Sequence, residues 1–468
     1  MRNHNSTERL VFVVILVLIF AAAVRAPLDS DMWWHLRAGE ATWQNGSPLL
    51  EDEFSYTRFG ERWINHSWLA QLGMFLIHEA GGWFALSGAV GLLAAISMAL
   101  VYLQMDGPGL FRAFLLVLGS VVISPVWSPR PQLISLTLFA GVAYLLTLYK
   151  RQGKDYLWLL PIIFLLWSNL HGGYVLGLML IGIMVVGEAL NQFLGTRGAK
   201  VLTWKGISRL AFWGAGSVFA LLINPNGVDT WLVPFRTVGV EALNRFISEW
   251  ASPDFHDITQ QPFLWLFFLL FAAVWLSGRR IDFTEIISTI WFAVLALFAR
   301  RNFGPFALVA LPVLASHLWQ MLSSESFRKR LPVDFFRIGL HSPAAWRRAL
   351  NLAIVGVLGF VALGKLYAVT HPALLSSAVV GLYPAGAVNI LKGENPTGNL
   401  LNEYDWGGYL VWNMREWQVF VDGRTDLYGD EIIGQWITAV QAEKGWQDVL
   451  EGWDIRYALL KPNRPLVT

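Results

Sequence analysis

The feature that most constrains this chain is a succession of long apolar runs that contain almost no charge. They fall near residues 10–23, 83–104, 110–124, 133–149, 156–170, 174–189, 210–223, 262–276, 283–298, 303–318 and 350–367, eleven in all. A hydrocarbon layer about 30 Å thick asks for about 20 apolar residues per helix. Inside it every backbone donor and acceptor must be satisfied within the segment, which leaves helices as the natural form of such runs. Only 15% of the 468 residues are charged and 55% are hydrophobic, where a soluble domain carries roughly a quarter charged residues. The expected fold is therefore mainly α: a polytopic membrane protein of about 11 transmembrane helices, several of them near the short limit. With no cysteine, disulfides and thiolate chemistry are excluded. A net charge of +2 with dispersed basic residues excludes nucleic acid as a partner.

The N-terminal run resembles a signal peptide, since Arg2 and Arg9 precede it and Val24-Arg25-Ala26 loosely fits a cleavage site. Pro27 follows at once and the chain stays apolar, so the run is read as a retained first span. Residues 68–79 are apolar but interrupted by Gln71 and His78, and are read as a helix lying in the interface. With the N-terminus inside, the inner loops hold 17 Lys and Arg and the outer loops before the last span hold nine. That bias supports a multi-pass protein of the cell (inner or plasma) membrane, N-terminus cytoplasmic and C-terminus external. The organisation read from this is a membrane domain over 1–368, with a first external loop 26–82 carrying interfacial helices. A small external α/β domain follows over 369–468, with a helical pattern at 431–450 and a strand-like 457–461.

On this map the polar, motif-like stretches all fall outside, at 29–68, 128–132, 169–174, 224–257 and 300–305, whereas the inner loops read as solvated basic connectors. The first outer loop begins Asp29-Ser30-Asp31-Met32-Trp33-Trp34-His35 and ends Trp63-Ile64-Asn65-His66-Ser67-Trp68. A carboxylate desolvated by a membrane surface and two tryptophans gains proton affinity and suits a general base. Asp29 and Asp31, one residue apart, can instead share a divalent cation, Mg or Mn, with His35 nearby. The structural alternative is that one of them caps a helix starting near Met32 while the tryptophans anchor it.

Arg130, Arg300 and Arg301 place positive charge where the insertion bias disfavours it. A guanidinium at that depth either binds a lipid phosphate through its fork or snorkels and pairs with a carboxylate. His171, in Trp167-Ser168-Asn169-Leu170-His171-Gly172-Gly173-Tyr174, either bonds a carbonyl at a turn or stands beside a phosphate or a metal. Glu249-Trp250 reads first as an interfacial patch. Glu403-Tyr404-Asp405-Trp406-Gly407-Gly408 and Val421-Asp422-Gly423-Arg424-Thr425-Asp426 set aromatics beside carboxylates, which serves either a polyol or peptide surface or the core of a small domain.

Taken together, Asp31-Met32-Trp33-Trp34-His35-Leu36-Arg37-Ala38-Gly39-Glu40, Phe54-Ser55-Tyr56-Thr57 and Asn169-Leu170-His171-Gly172-Gly173 resemble a prokaryotic branch of the GT-C glycosyltransferases. The order of features also resembles oligosaccharyltransferase and protein mannosyltransferase architecture. The resemblance implies a polyprenyl-phosphate sugar donor in a lipid membrane and hexosyl or pentosyl transfer, with inversion, to an acceptor hydroxyl or amide on a glycan, lipid or protein. It implies Asp29 or Asp31 as base or metal ligand, and Arg130, His171, Arg300 and Arg301 on the donor phosphate. Trp33, Trp34, His35, His66, Glu249, Tyr404, Asp405 and Trp406 remain for acceptor or sugar. Tyr404-Asp405-Trp406-Gly407 resembles the W-W-D-Y-G motif of oligosaccharyltransferases without its leading tryptophans. The alternatives are a protein that binds or flips a lipid-linked sugar without catalysis, and a transporter.

Overall fold

The computed structural model describes residues 2–196, 200–241, 247–328, 344–394 and 397–468. Arg197, Arg245, Lys329, Arg330 and Arg337, which enter the orientation argument, lie outside the described residues.

The chain is a bundle of helices. The first eight long ones are α1 (Arg2–Ala23), α2 (Ser30–Asn45), α3 (Trp68–Tyr102), α4 (Gly109–Ile123), α5 (Pro131–Thr147), α6 (Leu159–Leu170), α7 (Tyr174–Phe193) and α8 (Trp204–Ala220). Helices Gln261–Leu276, Phe283–Phe298, Phe303–Ser323 and Ala344–Thr370 complete the apolar set. Among the described residues seven helices are long and apolar enough to cross a membrane, or eight if the bent pair Pro372–Leu382 and Ala385–Glu394 is one broken span. The expected count of eleven is thus not matched by helices of full spanning length. All eleven apolar runs are helical, but α6, α8, Gln261–Leu276 and Phe283–Phe298 have only 12 to 17 residues. At 1.5 Å per residue they reach about 18–26 Å, short of a full hydrocarbon layer.

Packing follows from small residues that let backbones approach. Gly91 of α3 lies against Phe20 and Val24 near the end of α1, and Gly187 of α7 against Thr284 of Phe283–Phe298. Helix Phe303–Ser323 runs through the centre, buried from Phe303 to His317. The outside of the bundle is apolar: Phe193, Trp275 and Phe360 are each more than three-quarters exposed. That inversion is what a lipid solvent demands and water would not tolerate.

The stretch expected to lie in the interface is helical and runs into the following span, broken at Gly81-Gly82. Gly82 takes φ +58, a left-handed conformation that a side chain would disfavour, and this turns the short helix away from the span.

After Thr370 the chain builds a small α/β unit around a two-stranded parallel sheet, β1 (Asn399–Asn402) and β2 (Ile455–Leu459). The helical pattern at 431–450 is divided between Thr425–Val440 and Trp446–Gly452, because Ala442 turns into the left-handed region. This unit is docked on the first loop. Val419 exchanges backbone bonds with Phe54 and Tyr56, and Thr57 donates to the carbonyl of Phe420. Beneath them Arg424, fully buried, pairs with Asp52 at 2.5 Å and Asp422 at 2.8 Å and lies over Phe54 and Trp63.

Candidate active site

The start of α2 sets the first half of the site. Asp29 is its N-cap, extended at φ −71 and ψ 133, and accepts the Asp31 backbone N–H at 3.0 Å. Capping thus uses Asp29 and leaves Asp31, in the first turn, to face other groups. The Trp34 indole donates to Asp31 Oδ1 at 3.2 Å.

One further segment reaches this carboxylate directly, and two more are joined to it through Glu249. Arg130, extended between Pro129 and Pro131 at the head of α5, reaches Asp31 at 2.9 Å and Asp29 at 3.8 Å. Its fork also donates to Glu249 at 3.2 and 3.4 Å. Glu249 sits in the short turn Ser248–Trp250, which is tied to the turn Arg300–Asn302. There Arg300 donates through Nε to the Ser248 carbonyl at 2.7 Å. Arg301 stacks over Trp250 at 4.2 Å and comes within 4.0 Å of Glu249.

The electrostatics divide accordingly. Burial, outweighing Arg130 and reinforced by Asp29 and Glu249, pushes the Asp31 carboxyl up to about 7. Burial would also raise Glu249, but Arg130, Arg301 and Arg300 hold it below the ordinary range. Burial works against the Arg130 charge and the three carboxylates more than offset it.

A second group lies beside the arginines. His171 Nδ1 accepts from the Gly173 N–H at 3.0 Å and stands 2.8 Å from the Ser135 hydroxyl, so the neutral ring carries its proton on Nε2. Its ring is 5.8 Å from that of His66. Burial, then His66, Arg301 and Arg130, keep it uncharged well below the usual range. His35 is depressed in the same way, by burial first and then by Arg130, His171 and His66.

The structure therefore brings together Asp29, Asp31, Arg130, Glu249, Arg300 and Arg301, with His35, His66 and His171 alongside. Trp33 is enclosed by Trp83, Tyr383 and Tyr409, and Trp34 packs on His35 and Trp63. Tyr404 bonds Thr425, Asp405 pairs with Lys461, and the Trp406 indole donates to the Leu382 carbonyl. These three hold the C-terminal unit together. Sequence reasoning missed Gly423: a Cβ there would fall 2.0 Å from Asp31 Oδ1 and 2.8 Å from the Trp34 indole nitrogen. The C-terminal unit thus forms a wall of the site, through a stretch, 421–426, that the sequence offers as a polyol or peptide surface or as the core of a small domain.

No family model matches the chain, and no curated protein matches it. Solved structures do. The chain is similar to the Archaeoglobus fulgidus oligosaccharyltransferase AglB in complex with an inhibitory peptide and a dolichol-phosphate, at 13% identity and a TM-score of 0.62. That match covers 96% of this chain and 69% of the other. The apo form of the A. fulgidus enzyme matches over the same shares at 12% identity and a TM-score of 0.58. ArnT from Cupriavidus metallidurans bound to undecaprenyl phosphate matches at 15% identity and a TM-score of 0.50, over 91% of this chain and 88% of that one. At such identities the likeness is one of fold, and it runs nearly the whole length of the chain. The protein is a multi-pass membrane chain with the GT-C fold of these glycosyltransferases.

Proposed function

We propose that the protein is a membrane glycosyltransferase that moves a sugar from a polyprenyl-phosphate donor to an acceptor hydroxyl or amide on the outer face of the cell membrane. The arrangement that carries this reading is a partly buried carboxylate, Asp31, held by Arg130, which joins it through Glu249 to Arg301, with an uncharged His171 in the field of both arginines, all in a GT-C fold. The solved neighbours hold dolichol-phosphate and undecaprenyl phosphate, which supports the donor class.

The chemistry asks for little. The acceptor oxygen or nitrogen attacks the anomeric carbon, its proton passes to Asp31, and the bond from that carbon to the phosphate oxygen breaks. The lipid leaves as a stable phosphate, so no strong acid is required, and a single displacement inverts the anomeric centre. Arg301, backed by Arg300, meets the growing charge as a forked donor, and the His171 Nε2–H adds a neutral one. Burial of Asp31 serves the base role, because a carboxylate near pH 7 takes a proton far better than one near 4.

Lipids co-purifying with wild type and with an Arg300→Ala/Arg301→Ala variant, read by mass spectrometry, test the donor. A polyprenyl-phosphate species in the first that is lost from the second is the expected result. Only ordinary phospholipids in both, from well-folded protein, would overturn the phosphate role and shift the weight to transport.

A further inference from the structure

The spacing of Asp29 and Asp31 suits a shared divalent cation, yet the oxygens that would hold one face a side chain of this chain. Arg130 directs Nε at Asp29, Nη2 at Asp31 and both terminal nitrogens at Glu249. Asp29 Oδ1, the oxygen that Arg130 Nε faces, also takes the Asp31 N–H, and Asp31 Oδ1 takes the Trp34 indole. The Gly423 backbone closes on that same Asp31 oxygen. A Mg or Ca ion asks for six or more oxygens, several from water, and needs room for them. Among the described residues no group of three or more His, Asp or Glu stands ready to hold a metal ion. The carboxylates therefore do not fit a divalent ion while Arg130 is in place.

We propose that Arg130 is the resident cation of this centre: its guanidinium balances and orients Asp29, Asp31 and Glu249, and the centre takes no divalent metal. The backbone is built for this. Proline on each side pins Arg130 in an extended conformation, and Pro131 opens α5 directly behind it. A cation at a helix N-terminus opposes the helix dipole, so its placement has to be offset, and three carboxylates from two other segments do so. Arg130 is then a positioning residue for Asp31 rather than a ligand of the donor phosphate, which falls to Arg301. The inference rests on Asp31 being the working carboxylate, but not on any sugar or lipid.

Binding of Mn ions to the purified full-length protein, followed by the loss of the free-ion EPR signal, decides it. Wild type and Asp31→Asn are expected to bind the same low, non-specific amount. Arg130→Gln, which empties the space between the carboxylates, is expected to gain about one Mn per chain, and Arg130→Gln/Asp31→Asn to lose it. Arg130→Lys keeps a charge there and is expected to stay Mn-free, which covers the case in which Arg130→Gln does not fold. About one Mn bound by wild type and abolished in Asp31→Asn would overturn the proposal. So would a folded Arg130→Gln that gains none, or an Arg130→Lys that gains one. The readout is ion occupancy and not transfer, so its failure leaves the glycosyltransferase reading standing.

Discussion

The two ends of α5 carry two polar clusters of opposite character. At its head Arg130 gathers Asp29, Asp31 and Glu249. Just beyond its other end, about 29 Å away at 1.5 Å per residue, Lys150 lies 2.6 Å from both Glu188 and Asp282. Glu188 has no exposed surface and accepts further bonds from Thr284, the Leu202 N–H and Asn191. Asp282 caps helix Phe283–Phe298 by accepting the Glu285 N–H. Next to them Arg151 and Arg279 share Glu285. There Arg279 Nη1 and Glu285 Oε2 are buried without a hydrogen-bond partner among the described residues, but the Lys150–Glu188–Asp282 group itself is saturated and ties α7 to Phe283–Phe298. The near cluster is not: among the described residues Arg301 has one long ion pair and an aromatic stack. Buried charge that is fully bonded fixes helices, whereas the partly exposed arginine of the near cluster keeps donors free for a ligand.

The largest expected effect breaks the comparison at the near end. Asp31→Asn keeps the shape of the side chain and removes the base, so transfer should fall by about 10²–10⁴-fold while the protein purifies as wild type. Wild-type rates should rise with pH, about tenfold per unit below pH 7, and level off above it. The sign follows from Asp31 being active only when ionised, with its affinity near 7. Radiolabelled or mass-tagged sugar transfer across pH 5–9 checks both. A flat profile in wild type would remove Asp31 as the base.

Glu188→Gln breaks it at the far end and should act on stability. Removing one partner of a buried pair typically costs about 3–5 kcal/mol. Lys150 keeps Asp282, so the low end, about 3 kcal/mol, is expected. Thermal unfolding in detergent reads this, with turnover per folded molecule staying within about twofold. A loss of turnover without a loss of stability would mean the far cluster is functional.

How much of this was legible in the sequence follows the range of each interaction. Apolar periodicity is local, and every one of the eleven runs is a helix. Whether a run is long enough to span is less legible, since Trp204–Ala220 and its short companions end as helices of only 12 to 17 residues. Asp31 and Arg130 stood out because each is out of place by a local rule: a paired carboxylate after a first span, and an arginine on the disfavoured side. Their pairing with each other and with Glu249 joins segments about a hundred residues apart, which no spacing reveals. Lys150, Glu188 and Asp282 were passed over for the same reason. Each sits at the edge of an apolar run, where a charge ordinarily meets water. Arg424 shows the reverse case, a charge in a polar segment that the fold buries completely.

The smallest of these effects sharpens the comparison by moving Asp31 without altering its chemistry. Gly423 brings the C-terminal unit against the base so closely that any Cβ must displace Asp31 or the Trp34 indole. The wall cannot simply retreat, because Arg424 next to it is locked to Asp52 and Asp422 and rests on Trp63. Gly408 presses the same unit on the Ser30 carbonyl, one residue before Asp31. A displacement near 1 Å at a catalytic group lowers rate by about 10²-fold. Gly423→Ala should therefore lose up to that factor in turnover, with lipid co-purification unchanged because Arg301 is not touched. Gly434→Ala, where a Cβ meets nothing within 4 Å, serves as the control and should be silent. If Gly423→Ala is equally silent, the C-terminal unit does not position the base, and the near cluster is organised by Arg130 alone.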